Sequence, residues 1–278
     1  MTAPAAPTAA AAPAVPAPVP VVVCGLTGRM SGVVRQGVLA APDLALSARL
    51  TLRAPDHRPD RGPDRGPDRD PDPGPDPAVP VVHRLADLPD PDPVVVDFTA
   101  EEATADLLDQ ARTVRCALVI GTSGLGDRHR RLLAEVGRRR PVVVAANYSL
   151  ALLAVTRFVA DLAAHADDSW DAGVSDLHFA GKRDRPSSTA RHLAAAWHTA
   201  RGPGAPAPDV TSFRLGDALS EHRLVAAGTG EHIEVLHRMA DRRAFLPGVL
   251  RAIRYAAAAG PGVRTLADVV RDPAPAPR

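Results

Sequence analysis

Two side chains four residues apart carry chemistry: His178 and Lys182, at the end of a strand-like run. The imidazole titrates near neutral pH and can relay or orient a proton. The ammonium is a compact cation suited to developing negative charge. Just beyond them, Pro186-Ser187-Ser188-Thr189 opens a helical pattern. The unpaired N–H groups of such a start, together with the hydroxyls, suit a carboxylate. Each feature also has a plainer account: a hydrogen-bonded structural histidine, a surface lysine, an ordinary Ser/Thr cap. Lysine is rare in this Arg-rich chain, so a Lys kept at 182 hints at a need.

A second cluster lies near the start. Gly25-Leu26-Thr27-Gly28-Arg29-Met30-Ser31 follows the β-branched run Val21-Val22-Val23-Cys24 and precedes a helical pattern over 29–39. In a dinucleotide fold the first glycine makes the tight turn, and the second lets backbone approach a pyrophosphate at the helix N-terminus. The third glycine position holds Ser31, with Gly32 after it. A plain βα turn is the alternative. The next strand, 44–52, ends without the acid that would accept ribose hydroxyls. Arg53 or Arg29 could instead meet a 2′-phosphate, which favours NADPH over NADH. Arg53 could equally be a solvated residue where a loop begins.

These turns need elements to hold them. Strand runs at 94–98, 117–120 and 142–144 alternate with helical patterns at 101–112, with Thr99 as N-cap, and 127–139. That alternation predicts βαβ units and a parallel sheet. The second half predicts a helix over 150–164, a strand over 174–179 and a helix over 187–199. Strands over 210–215, 219–226 and 232–237 and a last helix over 244–259 follow. Short connections among those strands predict an antiparallel or mixed sheet. The fold class is α/β: a Rossmann-like parallel-sheet domain over 21–148 and a smaller α+β substrate and oligomerisation domain over 149–243. Residues 244–278 form a helix returning to the cofactor domain, then a tail. Residues 1–20, rich in Ala and Pro, read as a disordered leader. The Pro/Asp/Arg-rich stretch 55–78, with its repeated Arg-Gly-Pro-Asp, reads as a mobile loop.

Bulk properties exclude several classes. The net charge of +1 from 33 basic and 32 acidic side chains gives no footprint for nucleic acid or an anionic membrane. No long apolar run free of Pro and charge suggests a membrane span. Cys24 and Cys116 sit in apolar runs, without metal-binding spacing, and read as reduced core residues of a cytoplasmic protein.

The order of motifs is more specific than any one of them. Gly-Leu-Thr-Gly-Arg-Met at 25–30 resembles the Gly-x-x-Gly-Arg-Met opening of dihydrodipicolinate reductases. Asp97-Phe98-Thr99, Gly121-Thr122-Ser123-Gly124 and Ala145-Ala146-Asn147-Tyr148-Ser149 are similar to that family's Asp-Phe-Thr, Gly-Thr-Thr-Gly and Ala-x-Asn-Phe-Ser. Lys182-x-Asp184-x-Pro186-Ser187-Ser188-Thr189-Ala190 resembles its Lys-x-Asp-x-Pro-Ser-Gly-Thr-Ala. Arg214-x-Gly216-Asp217, Glu221-His222 and Phe245-x-Pro247-Gly248 also match.

The resemblance spans roughly 21–260. It implies a two-domain reductase, a homotetramer or dimer, that takes hydride from NADPH or NADH to reduce a cyclic carboxylated imine of lysine biosynthesis. It implies cofactor contacts from Gly25, Thr27, Gly28, Arg29, Met30, Phe98, Gly121, Ser123, Ala145 and Tyr148. It implies substrate contacts from Ser123, Phe179, Ser187, Ser188 and Thr189. Lys182 becomes the proton donor and electrostatic partner, with His178 relaying or orienting. Departures cluster in the carboxylate pocket. The family's His-His is His178-Phe179, its Ser-Gly-Thr is Ser187-Ser188-Thr189, and Arg183 and Arg185 flank Asp184. They point to a paralogue acting on a related imine in specialised metabolism. Two further readings stay open: a fold that has lost hydride transfer and runs another reaction in the same cleft, and a non-catalytic binding protein.

Overall fold

The structure, a computed structural model, describes residues 17–52, 78–218 and 220–272. Arg53 and nearly all of the 55–78 stretch lie outside the described residues, as do 1–16 and 273–278.

Short runs of valine build the larger domain. Strands β1 (Val19–Cys24), β2 (Leu44–Leu50), β3 (Val81–Val82), β4 (Val94–Asp97), β5 (Ala117–Ile120) and β6 (Pro141–Val144) come from the first half. They alternate with α1 (Arg29–Ala40), α2 (Glu101–Ala111) and α3 (Asp127–Gly137). With a last short strand, β11 (Gly262–Arg264), the order β11-β6-β5-β4-β1-β2-β3 makes a seven-stranded sheet, parallel throughout. A parallel sheet is covered on both faces, so its strands can be apolar at every position. Val21 and Val23 pack on one side with Val34, Val38, Val249 and Ile253. Val22 and Cys24 pack on the other with Leu107, Leu108, Leu133 and Val136.

The smaller domain is inserted after β6. It contains α4 (Leu150–His165), β7 (Asp171–His178), α5 (Ser188–Arg201), β8 (Asp209–Arg214), β9 (Glu221–Gly228) and β10 (Glu231–Arg238). Its four strands run in the order β10-β9-β7-β8. The pair β7/β8 is parallel and the others antiparallel, so the sheet is mixed. Helices α4 and α5 cover one face through Leu152, Val159, Leu193 and Trp197 on Val174 and Leu224. The other face carries Phe213 and Leu236, each 49% exposed.

The chain then returns through α6 (Leu246–Ala258), β11 (Gly262–Arg264) and α7 (Leu266–Arg271). At that return a Cβ on Gly248 would lie 2.0 Å from the Tyr148 carbonyl oxygen, so the two domain crossings touch where only glycine fits.

Three expectations are corrected. The first strand begins at Val19, inside the stretch read as a leader, because Val19 and Pro20 pair in register with Leu44 and Ala45. Residues after 259 are more than a tail: β11 extends the sheet beside β6, and α7 packs Leu266 and Val269 into the core. Thr99 does not cap α2. The N-cap is Ala100, and the Thr99 hydroxyl and N–H both go to Asp97 Oδ1, at 2.6 and 3.0 Å.

Candidate active site

The glycine turn forms at the carboxyl end of β1. Gly25 has φ +85°, a region that favours glycine, and its N–H donates to the Leu50 carbonyl at 2.8 Å. Ser31 fills the third glycine position without loss. Its Oγ donates to the Cys24 carbonyl at 2.7 Å, which ties helix to strand. Arg49 from β2 braces the turn from beneath through Leu26 O at 2.6 Å. The first turn of α1 has no capping side chain and no acid, so its N–H groups can serve an anion. Thr27, Gly28 and Arg29 are exposed around it, and Met30 is half-buried.

The ends of β4, β5 and β6 lie beside this turn. Asp97 gathers Thr99 and Thr104, the latter at 2.5 Å, and so fixes the chain on either side of Phe98. The Phe98 ring lies across Gly121, where an added Cβ would fall 2.0 Å from it. Phe98 meets the Tyr148 ring at 5.4 Å between centroids. Tyr148 is itself buried, and its hydroxyl donates to Ile120 O at 2.9 Å. Tyr148 thus backs Phe98 and the strand ends, where Phe98, Gly121, exposed Ser123 and half-buried Ala145 stand. These features fit a dinucleotide: a turn open to a pyrophosphate and a flat aromatic floor further along the sheet edge.

In the smaller domain the candidate groups gather at the end of β7. His178 is buried, and its Nε2 has no protein partner. Burial, and then the Lys182 ammonium, lower its pKa to about 4, so it is neutral at pH 7. Lys182 is the only lysine in the chain. Its Nζ sits 2.7 Å from Asp184, with the side chain 26% exposed. Burial alone would raise the Asp184 carboxyl, but the Lys182 hydrogen bond holds it below the usual range. Ser187 is the true cap of α5, accepting from Ala190 N–H at 3.1 Å. That leaves exposed Ser188 and half-buried Thr189 at the open helix start, beside half-buried Phe179. A cavity of about 550 Å³ lies between Ala145–Asn147, the α4 residues Leu153, Thr156 and Arg157, and Ser188 and Thr189 at the start of α5; neither His178 nor Lys182 lines it.

Reading the sequence alone missed four residues of this site's support: Asp176, Ser212, His237 and the function of Arg214. Asp176 and Arg214 form an ion pair with both side chains fully buried. The rings of His178, His222 and His237 follow one another at 5.2 and 6.1 Å. Burial, then the neighbouring histidines, lower His222 to about 3. Burial lowers His237. The available signal was the alternation Val174, Asp176, His178, which puts a carboxylate on the covered face of β7 and so demands a buried cation. Among the described residues no cluster of His, Cys, Asp or Glu could hold a metal ion.

Fold and cleft together define a nicotinamide-dependent oxidoreductase with a separate substrate domain. Family models described as "Dihydrodipicolinate reductase, N-terminus" and "Dihydrodipicolinate reductase, C-terminus" match residues 19–148 and 152–270. Proteins named 4-hydroxy-tetrahydrodipicolinate reductase are similar along nearly the whole length. That of Anaeromyxobacter dehalogenans strain 2CP-C is 33% identical, covering 90% of this chain and 97% of its own. That of Hahella chejuensis is 30% identical, covering 90% and 98%. A dipicolinate-bound dihydrodipicolinate reductase from Paenisporosarcina sp. TG-14 shares the fold, with TM-score 0.70 at 19% identity over 89% of this chain and 97% of that one. The chain belongs to the dihydrodipicolinate reductase family, and it is an NAD(P)H-dependent reductase of that type. The motifs quoted from the sequence thus carried the correct family.

Proposed function

We propose that this chain reduces a cyclic imine carrying ring carboxylates, with Lys182 as proton donor and electrostatic partner and His178 as the neutral orienting group. The observation that carries the assignment is the lone lysine of the chain, half-buried between neutral His178 and the open start of α5. Bound NAD(P)H supplies hydride. The residues of the chain do the rest. The N–H groups and hydroxyls at Ser188 and Thr189 hold one carboxylate and so orient the ring. Hydride arrival at the conjugated carbon pushes an electron pair onto the ring. The Lys182 ammonium stabilises that charge and gives up its proton to it, and solvent restores the proton afterwards. His178, neutral and with its buried Nε2 free of protein partners, stands four residues before Lys182 as the orienting group.

The altered pocket at Phe179 and Ser188 supports a second substrate, a related imine whose carboxylate needs less from those two positions. An assay of the purified protein with the lysine-pathway intermediate and both cofactors tests this. Turnover at a kcat/KM ordinary for enzymes, about 10⁴ M⁻¹s⁻¹ or more, identifies the default substrate. Turnover only on another cyclic imine identifies a shifted one, and reduction of neither overturns the proposal.

NADPH is preferred or equal to NADH in this reading. No acid stands among Arg49, Leu50, Thr51 and Leu52 at the end of β2, and Arg29 is exposed at the phosphate turn. NADH binding tenfold tighter than NADPH sinks it. The open face of the smaller sheet supports a homo-oligomer: Phe213, Leu215 and Leu236 are large, apolar and about half exposed. Phe213→Glu with Leu236→Glu should yield monomer by light scattering, and a wild-type monomer overturns the interface. Cys24 and Cys116 are free and buried, and burial pushes the Cys116 thiol up to about 12, which suits a reducing cytoplasm. Among the described residues no helix is long and apolar enough to cross a membrane.

A further inference from the structure

The proposed reduction needs an ammonium and a carboxylate-binding helix start at a fixed separation. Yet Lys182 sits in the irregular segment 179–187, between β7 and α5. Such a segment holds its shape only if its backbone groups find fixed partners.

Besides Ala180 N–H to Gly216 O, Lys182 N–H to Phe179 O and Arg191 to Pro186 O, the backbone partners of this segment come from one buried pair. Arg214, on β8, donates from Nε to Lys182 O at 3.3 Å and from Nη2 to Asp184 O. Its Nη1 donates to Asp176 Oδ1 and to Phe213 O. The guanidinium therefore grips the backbone on both sides of Arg183, one residue from it at the lysine itself. Asp176, on β7, spends its second oxygen at the other end of the segment. Asp176 Oδ2 accepts Ser187 N–H at 2.7 Å and Ser212 Oγ–H at 3.1 Å. Ser187 is the cap of α5, and its Oγ also lies 3.2 Å from His222 Nε2. Both side chains of the pair are fully buried. Burial works to raise the Asp176 carboxyl, but Ser187 N–H and Arg214 outweigh it and keep the charge in place.

Stability is a weak reason for such a pair, because a buried ion pair is often no better for folding than apolar side chains of the same size. Its geometric output is specific. One rigid, planar fork fixes the lysine, and the carboxylate it pairs with fixes the helix start. We infer that Asp176 and Arg214 are positioning residues for the reduction, setting the distance between Lys182 and the carboxylate end of α5. Neither reaches the cleft. The inference rests on the proposed role of Lys182.

The lone lysine makes the test direct. Reductive methylation with ¹³C-formaldehyde labels one side chain besides the N-terminal amine, so Lys182 gives a single assignable resonance. Asp176→Asn and Arg214→Gln should move or broaden that resonance. They should also lower kcat by about 10²-fold, the usual cost of an ångström-scale misplacement, and raise KM for the imine. The cofactor dissociation constant should stay within twofold, because the larger domain is untouched. Ser212→Ala keeps both charges and removes one bond to the same carboxylate, so it serves if the charge variants fail to fold. It should move the resonance and lower kcat a few-fold. A wild-type resonance and wild-type kcat per folded molecule in these variants overturn the positioning role. If the wild-type protein reduces no imine, the proposed function fails, while the resonance still tests the positioning.

Discussion

The two sheets of this molecule solve opposite problems. The seven-stranded sheet is mostly apolar on both faces, with buried Arg49 and Asp97 serving its turns, and its chemistry lies on backbone at its carboxyl edge: the turn at Gly25, the uncapped start of α1 and Gly121 under Phe98. The four-stranded sheet carries charge inside it. Asp176, His178, Arg214, His222 and His237 all lie on its covered face. A scaffold that presents backbone can be built of valine. The smaller sheet gives up core positions to polar groups, and burying these is costly wherever one lacks a partner, as His178 Nε2, His222 Nδ1 and His237 Nδ1 do. In the proposed reaction, binding of the cofactor and aiming of the proton fall to separate hydrophobic cores.

This division can be broken most sharply at Lys182. Lys182→Ala should lower turnover by about 10²–10⁴-fold, the usual cost of a positioned proton donor, in steady-state assays. Cofactor affinity and melting temperature should not change. Lys182→Arg should not rescue fully, since guanidinium is wider and holds its proton too tightly. Near-full turnover in Lys182→Ala would move the chemistry elsewhere in the cleft.

Gly121→Ala is the matching lesion in the larger domain. The added methyl meets the Phe98 ring, and overpacking of that kind costs about 1–3 kcal/mol. Cofactor affinity should weaken by about tenfold, as expected for about 1.4 kcal/mol, with the environment of Lys182 unchanged. Fluorescence titration of the nicotinamide measures it, and an unchanged dissociation constant would remove Phe98 from the cofactor site.

Acid should separate the two cores. His178, near 4, and His222, near 3, have folded pKa values below the unfolded value of about 6.5. The unfolded chain then binds more protons than the folded one as pH falls. The stability tied to neutral histidines is complete above about pH 6.5 and is lost progressively toward pH 4. Hydrogen exchange should show β7, β9 and β10 losing protection between pH 7 and pH 5 before β1, β4 and β5 do. Equal losses in both sheets would contradict the contrast.

The smallest effect is expected from replacing residues 55–78 with a short Gly-Ser linker. Their Pro/Asp/Arg composition can bury little, and loop length changes stability by only about 0.6 kcal/mol per doubling. A large fall in melting temperature would show that this stretch is structural.

Most of the fold was legible because each sheet writes its own period. Continuous valine at 21–23, 94–96 and 142–144 marks parallel strands, and the βα turns follow from Gly25 and Gly121. Lys182, His178 and Ser187–Thr189 stood out as candidates by residue type, spacing and the family resemblance. Their support was not. Arg214 lies 38 residues from Asp176, and nothing local says that a strand arginine will reach back over a strand carboxylate. The end of the chain was misread for a related reason: β11 is three residues long, too short for any period, and exists because the edge of β6 accepts it. Thr99 was misread because Asp97, two residues earlier, competes successfully for its hydroxyl.

The contact between Gly248 and the Tyr148 carbonyl has a mechanical meaning. The chain passes between the domains twice, just after β6 and on entering α6, and the first passage is pressed against the first turn of α6 at that point. They form a double strap with a common pivot, so twist applied to one passage is shared by the other. A side chain at position 248 would pry the straps apart and shift the whole smaller domain at once. How the smaller domain sits against the larger one thus depends on a hydrogen atom's width at position 248.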